Sequence, residues 1–311
     1  MRTIILLLCL FVCFIFPAFS QTTYTLADTA YANRLLNESE VLFNRREYDS
    51  ASIKADSSLI IFEQALGKET KEVANVLLLK SLIFHYRFIK TDEAVVIAEK
   101  ALAIRIKLNG ENHIEVAKAH ERIGQIYNTL SYHKKALLSF EKAIEIREFI
   151  GDESLETATC YVYAANIYAQ QLIPEKSIQY CKKALDIRIR ELGENHILVA
   201  HIYNLLSKTH YLINDANTSL KYYEIAKRIY FKRNNKIDGN IVFMNRYVAD
   251  LYLSIEDGDK ALSTIYESLN IDKSQYLFAW VMSYMNLIFY YDWKGDYDKA
   301  LEVGQRSLEI M

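Results

Sequence analysis

The sequence predicts an all-α solenoid of about seven helical hairpins, and three observations carry that expectation. The first is a spaced repetition. Gly-Glu-Asn-His-Ile stands at residues 110–114 and again at 193–197, with a diverged copy, Gly-Asp-Glu-Ser-Leu, at 151–155. Together with Gly67 these glycines recur every 41 to 43 residues, and a fixed period of that size marks a chain of stacked supersecondary units. The second is a pair of small residues in step with the glycines. Ala51, Ala94, Ala136, Ser177, Ser219, Ala261 and Ala300 are followed seven positions later by Ser58, Ala101, Ala143, Ala184, Ala226, Ser268 and Ser307. Small side chains two turns apart share one helix face and let a neighbouring helix come close. The third is composition. The 311 residues include only 9 Gly and 2 Pro, the helix breakers, against 23 Tyr and 14 Phe. Tyrosine suits stacked helices, with its ring packed between them and its hydroxyl at a wet edge.

Taken in order, residues 1–20 read as a cleaved secretory signal. Arg2 gives a positive start, Ile4 to Phe16 is an unbroken apolar run, Pro17 ends it, and Ala18-Phe19-Ser20 offers small residues for cleavage. The run falls short of the roughly 20 apolar residues a spanning helix needs. The expectation is an exported chain, periplasmic or extracellular, beginning near Gln21, with no membrane span in its mature part. Cys9 and Cys13 have no small residues ahead of them, which argues against a lipid anchor. Hairpins are then expected at about 27–66, 67–109, 110–150, 151–192, 193–234, 235–273 and 274–311. The first helix of each ends in an aromatic turn, as in Ile123–Tyr127, Ala164–Tyr168 and Val248–Tyr252. The second carries the small pair. Glycine between hairpins is expected to stop one helix at positive φ, and the polar residues after it to open the next.

These residues resemble the tetratricopeptide repeat (TPR) in its longer form. Gly193-Glu194-Asn195-His196 with Val199-Ala200, and the stretch Tyr132 to Ile144, are similar to kinesin light chain repeats. They are closer still to the bacterial arrays that precede a caspase-like (CHAT) protease domain. The resemblance covers about Ala27 to Met311 and implies a right-handed superhelix that binds a peptide or protein; it implies nothing finer about function. Some copies depart from the pattern. Leu82 and Ile288 stand where a small residue is expected in the first helix, and His85 and His210 stand in place of its tyrosine. Those hairpins are expected to sit further apart or repack. No polar capping helix follows the seventh hairpin before Met311. Two expectations follow. One is a longer protein for which this array is the sensor or regulatory segment, with a CHAT-type protease or histidine kinase as effector. The other is self-association through the last hairpin.

The charge and motifs narrow the chemistry. A net charge of −2 gives no reason to expect nucleic acid or an anionic membrane surface as partner. His113 and His120 are seven apart and His196 and His201 five apart, so neither pair has the spacing that presents two ligands on one helix face; no metal is expected. With no nucleophile elbow, phosphate-binding loop or HExxH, neither catalysis nor a cofactor is expected. Cys160 and Cys181 fall on the two helices of one hairpin, which leaves both a disulfide and a pair of buried thiols open.

What remains is the concave wall, which the resemblance assigns to the first helix of each hairpin. Projected onto this chain it gives Asn33, Asn37, Arg122, Gln125, Asn128, Asn166, Gln170, Asn204, Lys208, Arg246 and Asp250. An amide-rich groove can pair with the main chain of an extended peptide; the plainer reading is a solvated inner wall. No paired Lys/Asn clamp for a terminal carboxylate is visible across adjacent hairpins. The last hairpin, with Trp280, Tyr284, Phe289, Tyr290, Tyr291 and Trp293, reads either as an aromatic platform or as a face covered by a further domain.

Overall fold

A computed structural model describes residues 26–88, 92–234, 239–270 and 273–309. The apolar run near the N-terminus, and with it the expected signal, lies outside the described residues. Among these residues there are fourteen α-helices and no strand. In order they are α1 (Leu26–Asn44), α2 (Tyr48–Leu66), α3 (Lys71–Phe88), α4 (Glu93–Asn109), α5 (Ile114–Thr129), α6 (His133–Phe149) and α7 (Leu155–Gln170). There follow α8 (Pro174–Leu192), α9 (Ile197–Leu212), α10 (Ala216–Asn234), α11 (Gly239–Ser254), α12 (Gly258–Leu269), α13 (Lys273–Trp293) and α14 (Tyr297–Leu308). The chain forms two compact units, divided within α6 between Ser139 and Phe140. No described helix is long and apolar enough to cross a membrane.

The turns inside hairpins share one construction. Arg46, Ser131, Leu172, Asn214, Glu256 and Gly295 all have positive φ, between 57° and 75°. Each donates its N–H to a carbonyl three residues back, and the next residue donates five back, as in Leu172 to Ala169 (3.1 Å) and Ile173 to Tyr168 (2.9 Å). Two otherwise orphaned helix carbonyls are satisfied in this way. The aromatic position at the end of the first helix supplies the distant carbonyl in most copies: Tyr127, Tyr168, Tyr252, Tyr291 and, as a substitute, His210. Five of the six turns pay the left-handed penalty with a side chain in place. Leu172, at φ 57° and 64% exposed, gains little packing for it. Leu172→Gly is therefore expected to stabilise the protein by about 1 kcal/mol, the left-handed strain relieved less the added unfolded-state entropy. Urea unfolding checks this; an unchanged or lower midpoint would contradict it.

The loops between hairpins explain the repeated pentapeptide. Gly67, Gly110 and Gly193 have φ of 91°, 80° and 84°, and each N–H closes the preceding helix on the carbonyl four residues back. Three residues later comes an N-cap. The Nδ1 atoms of His113 and His196 accept from the Glu115 and Leu198 N–H groups, both at 3.1 Å. Ser154 and Thr70 do the same with hydroxyl oxygens, at 3.4 and 3.3 Å. His113 and His196 are thus helix caps, and Gly-x-x-His is a stop followed by a start.

Packing follows the small-residue phase. Ala51, Ala94, Ala136, Ser177, Ser219 and Ala261 are fully buried, as are Ser58, Ala101, Ala143, Ala184 and Ala226. Hydroxyls from either side cross these contacts directly: Ser39 Oγ donates to the Ala51 carbonyl at 2.7 Å, Ser207 Oγ to that of Ser219 at 2.8 Å, and Ser58 Oγ to that of Ala32 at 2.9 Å. In the last hairpin Ala300 is only half-buried, and Tyr297, Leu301 and Leu308 of α14 are largely exposed. Cys160 and Cys181 are buried and not joined in a disulfide, and burial pushes the Cys181 thiol up to about 12, against a weaker opposing effect of the Ser177 hydroxyl. The aromatic last hairpin is divided between core and surface. Tyr290 is buried with Leu287 against Ala261 and Ile265, Trp280 donates to the Leu269 carbonyl at 3.1 Å, and Phe289 and Trp293 remain exposed.

One element was missed in the sequence. Ile104-Arg105, Ile146-Arg147 and Ile187-Arg188 recur on the repeat period, and all three arginines are buried. Each clamps the start of the next hairpin. Arg105 donates to the Glu115 carbonyl (2.7 Å) and to Asn75 Oδ1 (2.9 Å), Arg188 to the Leu198 carbonyl (2.8 Å), and Arg147 to Asp152 Oδ2 (2.5 Å). In the fifth hairpin Tyr230 takes this place, after Ile229.

Candidate functional site

Four of the eleven residues projected onto an inner wall meet in one place, in the second unit. Asn204 and Lys208 on α9 and Arg246 and Asp250 on α11 line a cavity of about 440 Å³, completed by Tyr211, Leu212, Phe243 and Tyr247. Both helices are first helices of their hairpins. Asn204, Lys208 and Tyr211 follow the i, i+4, i+7 pattern of one helix face, and Phe243, Arg246 or Tyr247, and Asp250 do so on the other. Extending each projected pair by one more turn finds Tyr211 and Phe243; the sequence reading stopped at the polar residues and missed them.

The walls are tied together by phenols. The Tyr247 hydroxyl donates to Asn204 Oδ1 at 2.9 Å and that of Tyr211 to Asp250 Oδ2 at 3.4 Å, with the two rings 5.5 Å apart. Burial raises the Tyr211 phenol above its ordinary value, and the nearby Asp250 charge adds to that. Asp250 is also raised, by burial, with the Tyr211 hydrogen bond and the Arg246 charge pulling the other way without prevailing. Behind the cavity a buried network sets the rotation of α11. Tyr223 donates to Asn245 Oδ1 at 2.7 Å, and the Asn245 amide donates to Ser268 Oγ (2.9 Å) and Glu267 Oε2 (3.1 Å). Glu267 is in turn paired with Lys227 at 2.7 Å. With Asn245 anchored inward, the next residue, Arg246, is carried to the exposed side.

The cations of the cavity are available. Among the described residues the ion pairs of these two hairpins are His210–Asp215, Lys227–Glu267 and Lys260–Asp257; neither Lys208 nor Arg246 takes part in one. A second cavity of about 340 Å³, lined by Glu148, Asp152, Tyr161, Lys183 and Arg190 among others, differs in this respect. There Lys183 is paired with Glu148 at 2.6 Å and Arg190 with Glu153 at 2.7 Å, so its charges are already satisfied within the fold.

The other projected residues are placed separately. In the second unit Asn166 is half-buried and Gln170 exposed on α7. In the first unit Arg122 donates to Gln125 Oε1 at 2.6 Å, whose amide donates to Glu121 at 3.2 Å, so these two polar groups engage each other along α5; Asn128 lies half-buried two turns on from Glu121. Asn33 donates to the Thr29 carbonyl on its own helix at 3.0 Å. Asn37 borders an apolar cavity of about 480 Å³ with Val41, Leu42, Arg45 and Lys54. An amide-rich wall is therefore not what the α9–α11 cavity presents: it holds one amide, two cations, one carboxyl and three aromatic rings.

A family model described as tetratricopeptide repeat matches residues 84–148 and 156–230. Among curated proteins none matches this sequence. Among solved structures, the apo form of RapI is 17% identical with a TM-score of 0.66, over 90% of this chain and 97% of that one. A Rap protein complexed with competence and sporulation factor is 19% identical with a TM-score of 0.60, over 91% of this chain and 76% of that one. The nearly identical TPR-like repeats of a Podosopora anserina kinesin light chain are 12% identical with a TM-score of 0.57, over 66% of this chain and 98% of that one. At such identities the likeness is one of fold.

Proposed function

We infer, from the premise that this chain is a tetratricopeptide-repeat protein, that it is a non-catalytic scaffold which binds a peptide or protein partner at the α9–α11 cavity. The observation that carries this reading is the convergence of Lys208 and Arg246, in no ion pair among the described residues, with Asn204, Tyr211, Phe243 and Tyr247 on two neighbouring first helices. A cavity with apolar and aromatic walls and a few polar groups converging on it suits side-chain recognition. The rigid hairpins behind it spare the partner much of the cost of ordering its site. The Rap protein complexed with competence and sporulation factor supports the reading at the level of fold.

The reading includes export, for which the N-terminal apolar run of the sequence is the support. N-terminal sequencing of the protein from an extracellular or periplasmic fraction tests it; a retained Met1 would contradict cleavage. The binding reading is tested by a pull-down from the same fraction with residues 21–311 as bait. The control is a variant with Asn204, Lys208 and Arg246 changed to alanine. A partner held by the first and reduced at least about tenfold in the second is the expected result, since the few residues that dominate an interface cost about 2 kcal/mol or more when truncated. Equal retention would place the interface elsewhere, with the exposed Leu301 and Leu308 of the last hairpin next in line for self-association.

A further inference from the structure

We propose that the outer face of the α13–α14 hairpin is a docking surface for a second copy of this chain, the two copies being related by a two-fold axis. The inference stands apart from the α9–α11 cavity. Its first support is the register of the repeat. In the second helix of a hairpin, the residues one and eight positions after the first small residue pack on the first helix of the next hairpin. Val95 and Leu102 of α4 belong to the cluster that holds Ile123 and Ile126 of α5. Leu185 of α8 packs on the cluster of Val199 and Ala200 of α9, and Leu262 and Leu269 of α12 on that of Leu287 and Tyr290 of α13. The same positions on α14 are Leu301 and Leu308, and both are exposed. Tyr297 joins them at the i, i+4, i+11 spacing of one helix face.

The second support is a change of residue type on the neighbouring helix. Asn204 and Lys208 on α9 border the next first helix, and Arg246 and Asp250 hold the same positions on α11. On α13 those positions are Met285 and Phe289. Met285, Phe289, Tyr297, Leu301 and Leu308 thus stand where successive hairpins meet, and they are between 40% and 68% exposed. A solvated end of a solenoid calls for polar residues there, and a concentration of apolar ones marks an interface. The third support says what covers it. Ile123 and Ile126 on α5 pack back on Ala94, Val95 and Ala98 of α4, and Met244 and Val248 on α11 pack back on Tyr223 and Ala226 of α10. On α1 the matching positions are Arg34, Glu38 and Val41; Arg34 is exposed and Glu38 is paired with Lys54 at 2.7 Å. An open head-to-tail stack of copies would press Leu301 and Leu308 against those charged groups. A two-fold contact sets the apolar residues of α13 and α14 on their own counterparts, buries no charge and closes at two copies.

Sedimentation equilibrium of the mature chain, residues 21–311, over concentrations of about 1 to 100 μM tests this, because a reversible dimer responds to concentration. The expected result is a mass that rises to two chains and no further. Leu301→Glu/Leu308→Glu should weaken the dimer at least about a hundredfold, since two carboxylates would enter an apolar contact, while helix content by circular dichroism stays that of the wild type. Leu138→Glu, at another exposed apolar position on α6, should leave the dimer intact. A cysteine series reads the symmetry and stands even where the glutamate pair disturbs folding. Cys160 and Cys181 are buried, so an added thiol is the one open to oxidation. Of Leu301→Cys, Gln305→Cys and Leu308→Cys, each made alone and treated with an added oxidant, at least one should form a covalent dimer, and Arg34→Cys should form none. A monomer at every concentration, growth beyond two copies, a folded glutamate variant that still pairs, or equal loss in Leu138→Glu would each overturn the proposal, as would a covalent dimer from Arg34→Cys alone. None of these outcomes bears on partner capture at the α9–α11 cavity, which the pull-down tests separately.

Discussion

Arg147→Ala is expected to cost the protein about 3 kcal/mol of stability, the order seen when one member of a buried ion pair is removed. The Arg147 side chain is 1% exposed and its guanidinium meets Asp152 Oδ2 at 2.5 Å. Asp152 also accepts from the Ser154 and Thr157 hydroxyls at 3.1 and 3.0 Å, so the pair fastens the end of α6 to the first turn of α7. Removing the guanidinium leaves a partly buried carboxylate with weaker donors only. The double variant Arg147→Ala/Asp152→Ala should lose less than the two single losses added together, because no charge is then stranded. Urea unfolding of the four proteins measures this, and simple additivity would refute the pairing as the source of the loss.

The pH dependence of the same pair has a definite sign. Burial pulls the Asp152 carboxyl upward, but the hydrogen bonds from Arg147, Ser154 and Thr157, together with the Arg147 charge, hold it below its ordinary value. A carboxyl depressed in the folded state contributes stability above its unfolded value, about 3.9, and loses it as pH falls through the lower folded value. The gap in stability between wild type and Arg147→Ala should therefore be full at neutral pH and narrow below about pH 4. Glu115, also held low by Lys118 and Arg105 against the upward pull of burial, adds to the acid limb in the first unit.

Ala143→Arg should have an effect of at least similar size, a loss of more than about 3 kcal/mol, by overpacking and by forcing a charge into a helix crossing. Ala143 is 0% exposed and belongs to the second small-residue series, whose first member, Ser58, touches a first-helix carbonyl at 2.9 Å. A long cationic side chain has no room there and no nearby route to water. Asn166→Ala, at a half-buried polar position, is the contrast, with an expected change within about 0.5 kcal/mol. Equal losses of melting temperature in the two variants would break the division between packing positions and wall positions.

Residue by residue, the repeat was open to reading because each of its signals is local. Glycine at positive φ stops a helix wherever it stands, and an alanine seven residues from another marks one face without reference to any neighbour. The buried arginines were equally periodic, yet they passed unread because charge is ordinarily a sign of the surface. Their burial depends on acceptors at the start of the following hairpin, carbonyls for Arg105 and Arg188 and the Asp152 carboxylate for Arg147, which no single-helix pattern displays. The two pentapeptide histidines were a milder case. Their identity was plain, but their use as caps appears only when the Nδ1 lone pair is seen facing a free N–H.

The candidate site divides along the same line. Which residues face away from the helix crossings was set by the 3.6-residue period, and that much placed Asn204, Lys208, Arg246 and Asp250 on first-helix walls. Tertiary structure decided which of the eleven share a cavity and what that cavity offers. Arg122 and Gln125 engage each other on α5, whereas Lys208 and Arg246, in no ion pair among the described residues, line one cavity with Tyr211 and Tyr247. Sequence by itself thus determined the solenoid, its stop signals and its packing faces, since those rest on backbone conformation and side-chain size within one helix. The charge state and shape of the cavity rest on distances between residues up to 46 positions apart, from Asn204 to Asp250, and only the packed hairpins fix those.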